Sequence, residues 1–140
     1  MISIEKEESL IVKYNNAVSK KYYLEAIALI FHLIELRSRS VITTFSKEKP
    51  GKKVKIKKSM NRIKKNRKRI PSLGRHFQND FINQLLDWKR LRDDLMHQLV
   101  KDDLENINVE KLAADGLSIY DEFSAIHLAW LAEYEANPSK

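Results

Sequence analysis

The sequence predicts an all-α fold, an up-and-down bundle of four to five helices, on three observations. Apolar residues recur at three- and four-residue steps over most of the chain, as they do on the buried face of a helix. The 140 residues include only three glycines and three prolines, and neither type occurs before Pro50. No stretch alternates polar and apolar residues as a half-buried strand does. A chain of this length forms one core, so we take residues 1–140 as a single domain.

The helices can be placed in chain order from this apolar spacing. Ser19 is a candidate N-cap for a second helix, which leaves residues 4–18 as a separate leading helix. Apolar residues mark that second helix: Leu24, Ile27, Ala28, Phe31, Ile34, Val41, Ile42 and Phe45. The third helix covers at least Asp80 to Lys101, with a stripe that begins just before it: Phe77, Phe81, Leu85, Trp88, Leu91, Leu95 and Leu99. After a polar linker, the last helix buries a further set: Val109, Leu112, Ala113, Ile119, Tyr120, Phe123, Ile126, Trp130 and Leu131.

Positive charge is concentrated between the second and third helices. From Lys47 to Arg69 there are 13 Lys and Arg and the single acid Glu48, a local charge of +12, whereas the rest of the chain sums to −5. Like charges at this density disfavour a compact element, so we predict a mobile insertion over residues 46–71. A basic helical stretch from Ser59 to Arg69 is the alternative within it.

The basic insertion is the candidate RNA-binding segment, because such an asymmetry is typical of chains that meet a polyanion. Its cations can follow a phosphate backbone by charge, which makes binding weaken with salt. No aromatic residue lies between Ser46 and Phe77, so base stacking must come from elsewhere. A solvated loop that aids solubility is the other interpretation. The candidates are Lys52, Lys53, Lys55, Lys57, Lys58, Arg62, Lys64, Lys65, Arg67, Lys68 and Arg69.

Several function classes receive no support from the sequence. The chain has no cysteine, which excludes thiolate metal sites, and none of its four histidines has a second histidine three or four residues away. We therefore expect no metal and no cofactor, and interpret His32, His76 and His127 as packing or surface residues. Neither a glycine-rich phosphate loop nor a nucleophile elbow is present. No apolar run approaches the roughly 20 residues of a spanning helix, and the first ten residues carry acids, so we expect a cytoplasmic protein without membrane contact.

One pair on the third helix carries chemistry. Arg92 and His97 lie five positions apart, about 140° around the axis, so they can flank one cleft but hardly bond to each other. Histidine transfers protons near neutral pH, and arginine can hold the charge of a pentavalent phosphorus. The pair thus suits RNA cleavage by the 2′-hydroxyl of the RNA without a metal. The alternative is that Arg92 is a surface residue and that His97 caps the end of a packed helix.

The run from Arg92 through Asp93 and Asp94 to His97 resembles the motif of the HEPN superfamily, the higher-eukaryote and prokaryote nucleotide-binding helical bundle. The segment 22–35, with Glu35 as an inward acid, is similar to that family's early helix. The resemblance implies a metal-independent endoribonuclease that leaves a 2′,3′-cyclic phosphate, with a composite site at a homodimer cleft. It implies catalytic roles for Arg92 and His97, an orienting role for Asp93, and Glu35 as a partner of Arg92.

Leu99 marks a departure from one branch of that family. A toxin branch has a tyrosine two positions after the histidine, which a partner nucleotidyltransferase modifies, and here that position is Leu99. The departure puts that pairing in doubt but leaves the cleavage chemistry intact.

Two hypotheses follow from the sequence. The first is a homodimeric HEPN ribonuclease, a toxin or phage-defence effector with an antitoxin or regulatory protein as a further partner. The second is a HEPN bundle that holds RNA, a nucleotide or a partner protein without cutting.

Overall fold

The computed structural model describes residues 4–46, 55–101 and 107–138. They form six α-helices: α1 (Ile4–Ser19), α2 (Tyr23–Ser46), α3 (Ile56–Asn66), α4 (Pro71–His76), α5 (Asn79–Lys101) and α6 (Val109–Ala136). No strand occurs within these ranges, so the all-α prediction is confirmed. The helix number is six rather than four or five because the basic segment contributes α3 and leads directly into α4.

The four long helices run alternately up and down, as side-chain contacts along them show. Glu7 of α1 reaches Arg37 of α2, although α1 ends where α2 begins, so these two helices are antiparallel. Tyr14 of α1 donates a hydrogen bond to the Ala113 carbonyl of α6, 2.9 Å away. Trp88 of α5 donates to Leu112, also on α6, over 2.9 Å. The rings of Phe81 and Phe123 also meet, 5.6 Å apart between centroids, so α5 and α6 are antiparallel.

Aromatic side chains fill the core at one end of the bundle. The Phe77 ring lies edge-on to Phe123 and to Trp130, with centroids 6.1 and 5.9 Å apart. Phe45 of α2 meets Trp130 in the same way, at 6.4 Å. The Trp130 indole N–H donates to Ser72 Oγ over 3.1 Å, which satisfies a polar group that burial would otherwise leave unpaired. These contacts fix α4 and the start of α5 against α6.

The α1–α2 junction differs from the predicted cap. Ser19 does not begin α2; it ends α1, where its hydroxyl donates to the Asn16 carbonyl over 2.9 Å. Lys21 turns the chain with a φ of 63°, a left-handed conformation that reverses direction in few residues. The separate leading helix is confirmed, but the serine serves its end rather than the start of the next helix.

Where the structure describes it, the basic segment contains a packed helix, although its charge density was expected to disfavour a compact element. Residues 56–66 form α3, and its side chains Ile56, Met60 and Ile63 are at most 1% exposed. Burial of each such side chain contributes about 1.5–3 kcal/mol, which outweighs like-charge repulsion of a few tenths of a kcal/mol per pair. The alternative of a basic helix is therefore the better prediction, although its start lies at Ile56. Residues 47–54 of the predicted insertion lie outside the described ranges.

Three residues of the predicted apolar stripes face solvent instead of the core. Leu24 and Ala28 are exposed on α2, and Leu91 is 46% exposed on α5. The spacing rule assigns a helix face but not its width or its ends. Ala28 and Leu91 lie at the margins of their stripes, and Leu24 lies in the first turn of α2.

Gly116 marks the closest approach of α6 to its neighbours. A Cβ atom there would lie 2.6 Å from Trp88 Cζ2 and 2.7 Å from Ile30 Cγ2, and both side chains are buried. Gly116→Ala is expected to destabilise the fold, because overpacking costs about 1–3 kcal/mol and the gain in helix propensity offsets only about 1 kcal/mol. Urea unfolding followed by circular dichroism measures the change.

Gly74→Ala is the matched control for that substitution. Its nearest neighbour would be Arg67 Cβ at 3.6 Å, an ordinary contact, so alanine should leave stability unchanged or raise it slightly. A Gly116→Ala variant as stable as Gly74→Ala would contradict the close packing of α6 described here.

Candidate functional site

Arg92 is held against α2 by an aromatic ring. Its guanidinium carbon lies 3.7 Å from the centroid of the Phe31 ring, and the side chain is only 24% exposed. A cation over an aromatic face gains about 0.5–2 kcal/mol, more as water is excluded. Its Nε is buried without a hydrogen-bond partner. The arginine is therefore preoriented, and one of its donors is unsatisfied.

Asp93 links Arg92 to Lys89 on the same helix. Arg92 Nη1 donates to Asp93 Oδ1 over 3.1 Å, and Lys89 Nζ lies 2.6 Å from Asp93 Oδ2. Partial burial would raise the pKa of the Asp93 carboxyl, but hydrogen bonds and charge from Lys89 and Arg92 outweigh it and hold that pKa below its ordinary value. The carboxylate stays ionised at neutral pH, in a position to orient Arg92.

His97 lies on another side of α5, in a groove between α5 and α6. The groove has a volume of about 510 Å³, within the range of small-molecule sites. Among the described residues, the exposed His97 side chain makes no hydrogen bond or ion pair. The imidazole is thus available to a ligand in the groove. The lining residues are Leu91, Asp94, His97, Gln98, Ile107, Asn108, Lys111, Leu112 and Asp115.

Arg92 and His97 do not share a cleft within one copy of the chain. Arg92 faces the Phe31 ring on α2, whereas His97 faces α6, and Arg92 does not line the groove. Five helical steps separate them by about 140° and about 7.5 Å along the axis, which places them on different sides of α5. In one protomer the guanidinium and the imidazole therefore lie on different sides of α5, contrary to the prediction that they flank one cleft.

Glu35 is not the partner of Arg92 in the protomer. Its side chain is 30% exposed and lies 4.0 Å from His32 Nδ1, one turn earlier on α2. The prediction of an inward acid paired with Arg92 is wrong for the isolated chain, because Asp93 and Phe31 already occupy the arginine. Glu35 lies one turn beyond Phe31 on α2 and so stays in the neighbourhood of the arginine.

The predicted RNA-binding residues divide into three groups. Lys52 and Lys53 lie outside the described ranges. Arg67 is drawn into the fold, where Nη1 donates to the Phe77 carbonyl over 3.3 Å. The others project along or beside α3, with Arg69 donating to the Asn66 side chain. This last group is Lys55, Lys57, Lys58, Arg62, Lys64, Lys65, Lys68 and Arg69.

A second cluster of ionisable residues lies buried between α1, α2 and α6. Arg37, 4% exposed, donates from Nη1 to His127 Nδ1 over 2.8 Å and from Nη2 to Glu7 over 2.6 Å. The Tyr120 hydroxyl donates to the same Glu7 oxygen. Because His127 Nδ1 accepts, its proton lies on Nε2, which is buried without a partner. Arg37, Tyr120 and His127 are too deeply buried for a substrate to reach, and only Glu7 is partly exposed, so we assign the cluster to stability rather than catalysis.

His127 makes the stability of the fold depend on pH. Burial, then the charge of Arg37, lowers the pKa of His127 to about 4, and Glu7 opposes that shift only in part. The unfolded chain takes up the proton near pH 6.5, but the folded chain only near pH 4, so acidification between these values favours unfolding. Stability present above pH 6.5 should fall by about 3 kcal/mol as the pH reaches 4.

The comparison of wild type with His127→Gln isolates this contribution, because other groups titrate equally in both proteins. Urea unfolding at pH 7 and near pH 4.5 gives, for each of the two proteins, the change in the free energy of unfolding with pH. A wild type and a variant that lose stability equally over this range would contradict the assignment. His32→Gln, at a half-exposed position, serves as the histidine control.

A third cluster joins α4 to the end of α6. Arg75 donates to Glu133 Oε1, and His76 Nε2 lies 2.5 Å from Glu133 Oε2. These two hydrogen bonds lower the pKa of the Glu133 carboxyl. These contacts hold α4 against α6 at the surface of the bundle. His76 is thus a surface residue that supports packing, as the sequence predicts.

Comparison with protein-family models, with curated proteins and with solved structures finds no match for this chain. In the described part of the chain, no helix is both long and apolar enough to cross a membrane. The same residues contain no group of three or more His, Cys, Asp or Glu side chains that can hold a metal ion.

Sequence reasoning missed two residues that position the motif. Lys89 lies four residues before Asp93, so the helical i, i+4 rule offered a local signal for their ion pair. Phe31 is 61 positions from Arg92 in the sequence. No local pattern connects the two, and only the packing of α2 on α5 reveals the aromatic face beneath the arginine.

Proposed function

We propose that this protein is a metal-independent endoribonuclease of HEPN type. In this proposal His97 transfers the proton between the 2′-hydroxyl and the leaving oxygen, and Arg92 binds the phosphorane. The 2′-oxygen attacks phosphorus, the bond to the 5′-oxygen breaks, and the products are a 2′,3′-cyclic phosphate and a free 5′-hydroxyl. The observation that carries the proposal is an exposed His97 that has no hydrogen-bond partner among the described residues, together with an Arg92 preoriented by Phe31 and Asp93.

The geometry favours a site made from two copies of the chain. Because Arg92 and His97 lie on different sides of α5, one phosphate needs the arginine of one copy and the histidine of another. Leu91, 46% exposed, lines the same groove as His97, so a second copy that places its arginine near His97 would contact this leucine. A homodimer is thus part of the proposal. The resemblance of the motif also leads us to propose a role as a toxin or phage-defence effector, with a partner protein that restrains it.

The direct test is cleavage of total RNA by purified protein in EDTA. The proposal expects cleavage without divalent metal, products that end in cyclic phosphate, and a dimer in sedimentation. Intact RNA after incubation with folded, dimeric protein would overturn the proposal.

A non-catalytic binding module is the second candidate. It is favoured by the separation of Arg92 from His97 within the protomer and by the firm anchoring of the basic helix α3. Such a module would bind RNA, a nucleotide or a partner protein with equal strength in wild type and His97→Ala. Neutralising the α3 cations would abolish binding in that case.

A further inference from the structure

The outward side of α3 carries a compact array of positive charge. Four of its eleven residues are buried: Ile56, Ser59, Met60 and Ile63. The others are Lys57, Lys58, Asn61, Arg62, Lys64, Lys65 and Asn66, and none is acidic. We call its five cations, Lys57, Lys58, Arg62, Lys64 and Lys65, the α3 basic face. At about 100° per residue they cover roughly 160° of the helix surface.

The four lysines of this face are not neutralised by the described part of the chain, and the packing of α3 holds them in place. Lys57, Lys58, Lys64 and Lys65 form no ion pair within the described ranges. The repulsion between Lys58 and Arg62, four residues apart, opposes helix formation by a few tenths of a kcal/mol. The buried side of α3 holds the helix in spite of it. Lysines held in this way on a packed helix bind a polyanion without first having to be ordered.

We propose that the α3 basic face is a preformed docking surface for double-helical RNA. The inference rests on the proposed function in taking RNA as the polyanion. An α3 of 11 residues is about 16 Å long. A duplex carries one charge per about 1.7 Å of its axis and a single strand one per about 3.4 Å, so the duplex places about twice as many phosphates along the helix.

The chemistry of α3 also disfavours a single strand as the ligand. Proteins that bind single strands use aromatic side chains on which bases stack. Residues 55–76 contain no aromatic residue, and Phe77 is fully buried. Duplex RNA, in contrast, is recognised mainly through its shape and its phosphates, which needs only well-placed cations and polar groups such as Asn61.

Equilibrium binding to a duplex of about 16 base pairs, and to one of its strands, tests the inference. His97→Ala serves as the background, so that RNA is not cut during the measurement. We expect the duplex to bind at least about tenfold more tightly than the strand, with a steep salt dependence. Equal affinity for the two RNAs, or no binding of either, would overturn the inference.

A matched pair of triple variants assigns the binding to α3. Lys57→Gln, Lys58→Gln and Lys65→Gln together should reduce the slope of log affinity against log salt by about three for the duplex. The control triple removes the same charge from exposed lysines elsewhere: Lys13→Gln, Lys20→Gln and Lys101→Gln. Circular dichroism confirms that both fold. Equal losses in the two triples would show that net charge, rather than this face, binds RNA and would overturn the docking surface.

The outcome is separable from that of the ribonuclease proposal. Cleavage in EDTA combined with preferential binding of the single strand would keep the enzyme and remove the duplex surface. Duplex binding through α3 without any cleavage would keep the surface and remove the enzyme. Preference for a polyglutamate peptide over both RNAs would place an acidic protein on α3 and overturn the inference.

Discussion

His97→Ala is expected to lower the rate of RNA cleavage by about 10²- to 10⁴-fold, the usual contribution of a general acid or base. The side chain is exposed in the groove and makes no hydrogen bond or ion pair with the described residues, so stability should change by less than about 0.5 kcal/mol. Single-turnover cleavage of a labelled RNA in EDTA, together with urea unfolding, measures both. Unchanged cleavage by the variant would remove His97 from the mechanism.

Arg92→Lys is the companion variant for the phosphate-binding role. Lysine keeps the charge but has neither the planar fork of donors nor the same fit over the Phe31 ring. We expect cleavage to fall by about 10²-fold or more, because a preoriented donor to the phosphorane is lost. Mixing Arg92→Lys with His97→Ala should restore part of the activity if each site takes one residue from each copy, since one of the two sites in the mixed dimer is then intact.

Arg37→Met is expected to produce the largest loss of stability. The substitution leaves Glu7 and His127 without their shared donor, and removing one partner of a buried pair costs about 3–5 kcal/mol. Because the Glu7 side chain is 24% exposed and keeps some water, we expect the lower end of that range. Urea unfolding at pH 7 gives the change in free energy.

Arg90→Met is the control for Arg37→Met. It removes the same guanidinium group from a side chain that is 66% exposed. The ion pair of this arginine is long, with 3.8 Å between Arg90 Nη1 and Asp94 Oδ2, so stability should change by less than about 1 kcal/mol. Equal unfolding midpoints for the two variants would mean that the buried network contributes nothing beyond surface ion pairing.

Local patterns in the sequence predicted most of the helices but not the fate of the basic segment. The apolar spacing predicts a helix over at least 80–101, and α5 spans Asn79–Lys101, because the apolar period of this helix and its flanking residues are local signals. In contrast, the charge density of residues 46–71 obscured the sparse apolar residues Ile56, Met60 and Ile63. Their spacing gains meaning only when α2, α4 and α5 provide a surface to cover them.

The candidate site was predictable in kind but not in arrangement. The spacing of Arg92 and His97 predicts that they can flank one cleft but hardly bond to each other, whereas α5 places them on different sides of the helix. The expected contact between Arg92 and Glu35 failed, because the arginine instead donates to Asp93 beside it and lies over the Phe31 ring of α2. The catalytic role of Arg92 and His97 stays a prediction.

The sequence by itself determined the helical class, the course of the long helices and the position of the charge, because apolar periodicity and charge are properties of neighbouring residues. Only the tertiary structure decided that the basic segment packs as a helix, that His97 opens into a groove, and that Arg37 buries its charge beside His127. Those outcomes depend on contacts between residues as far as 90 positions apart, where burial and desolvation fix the energy of each charge.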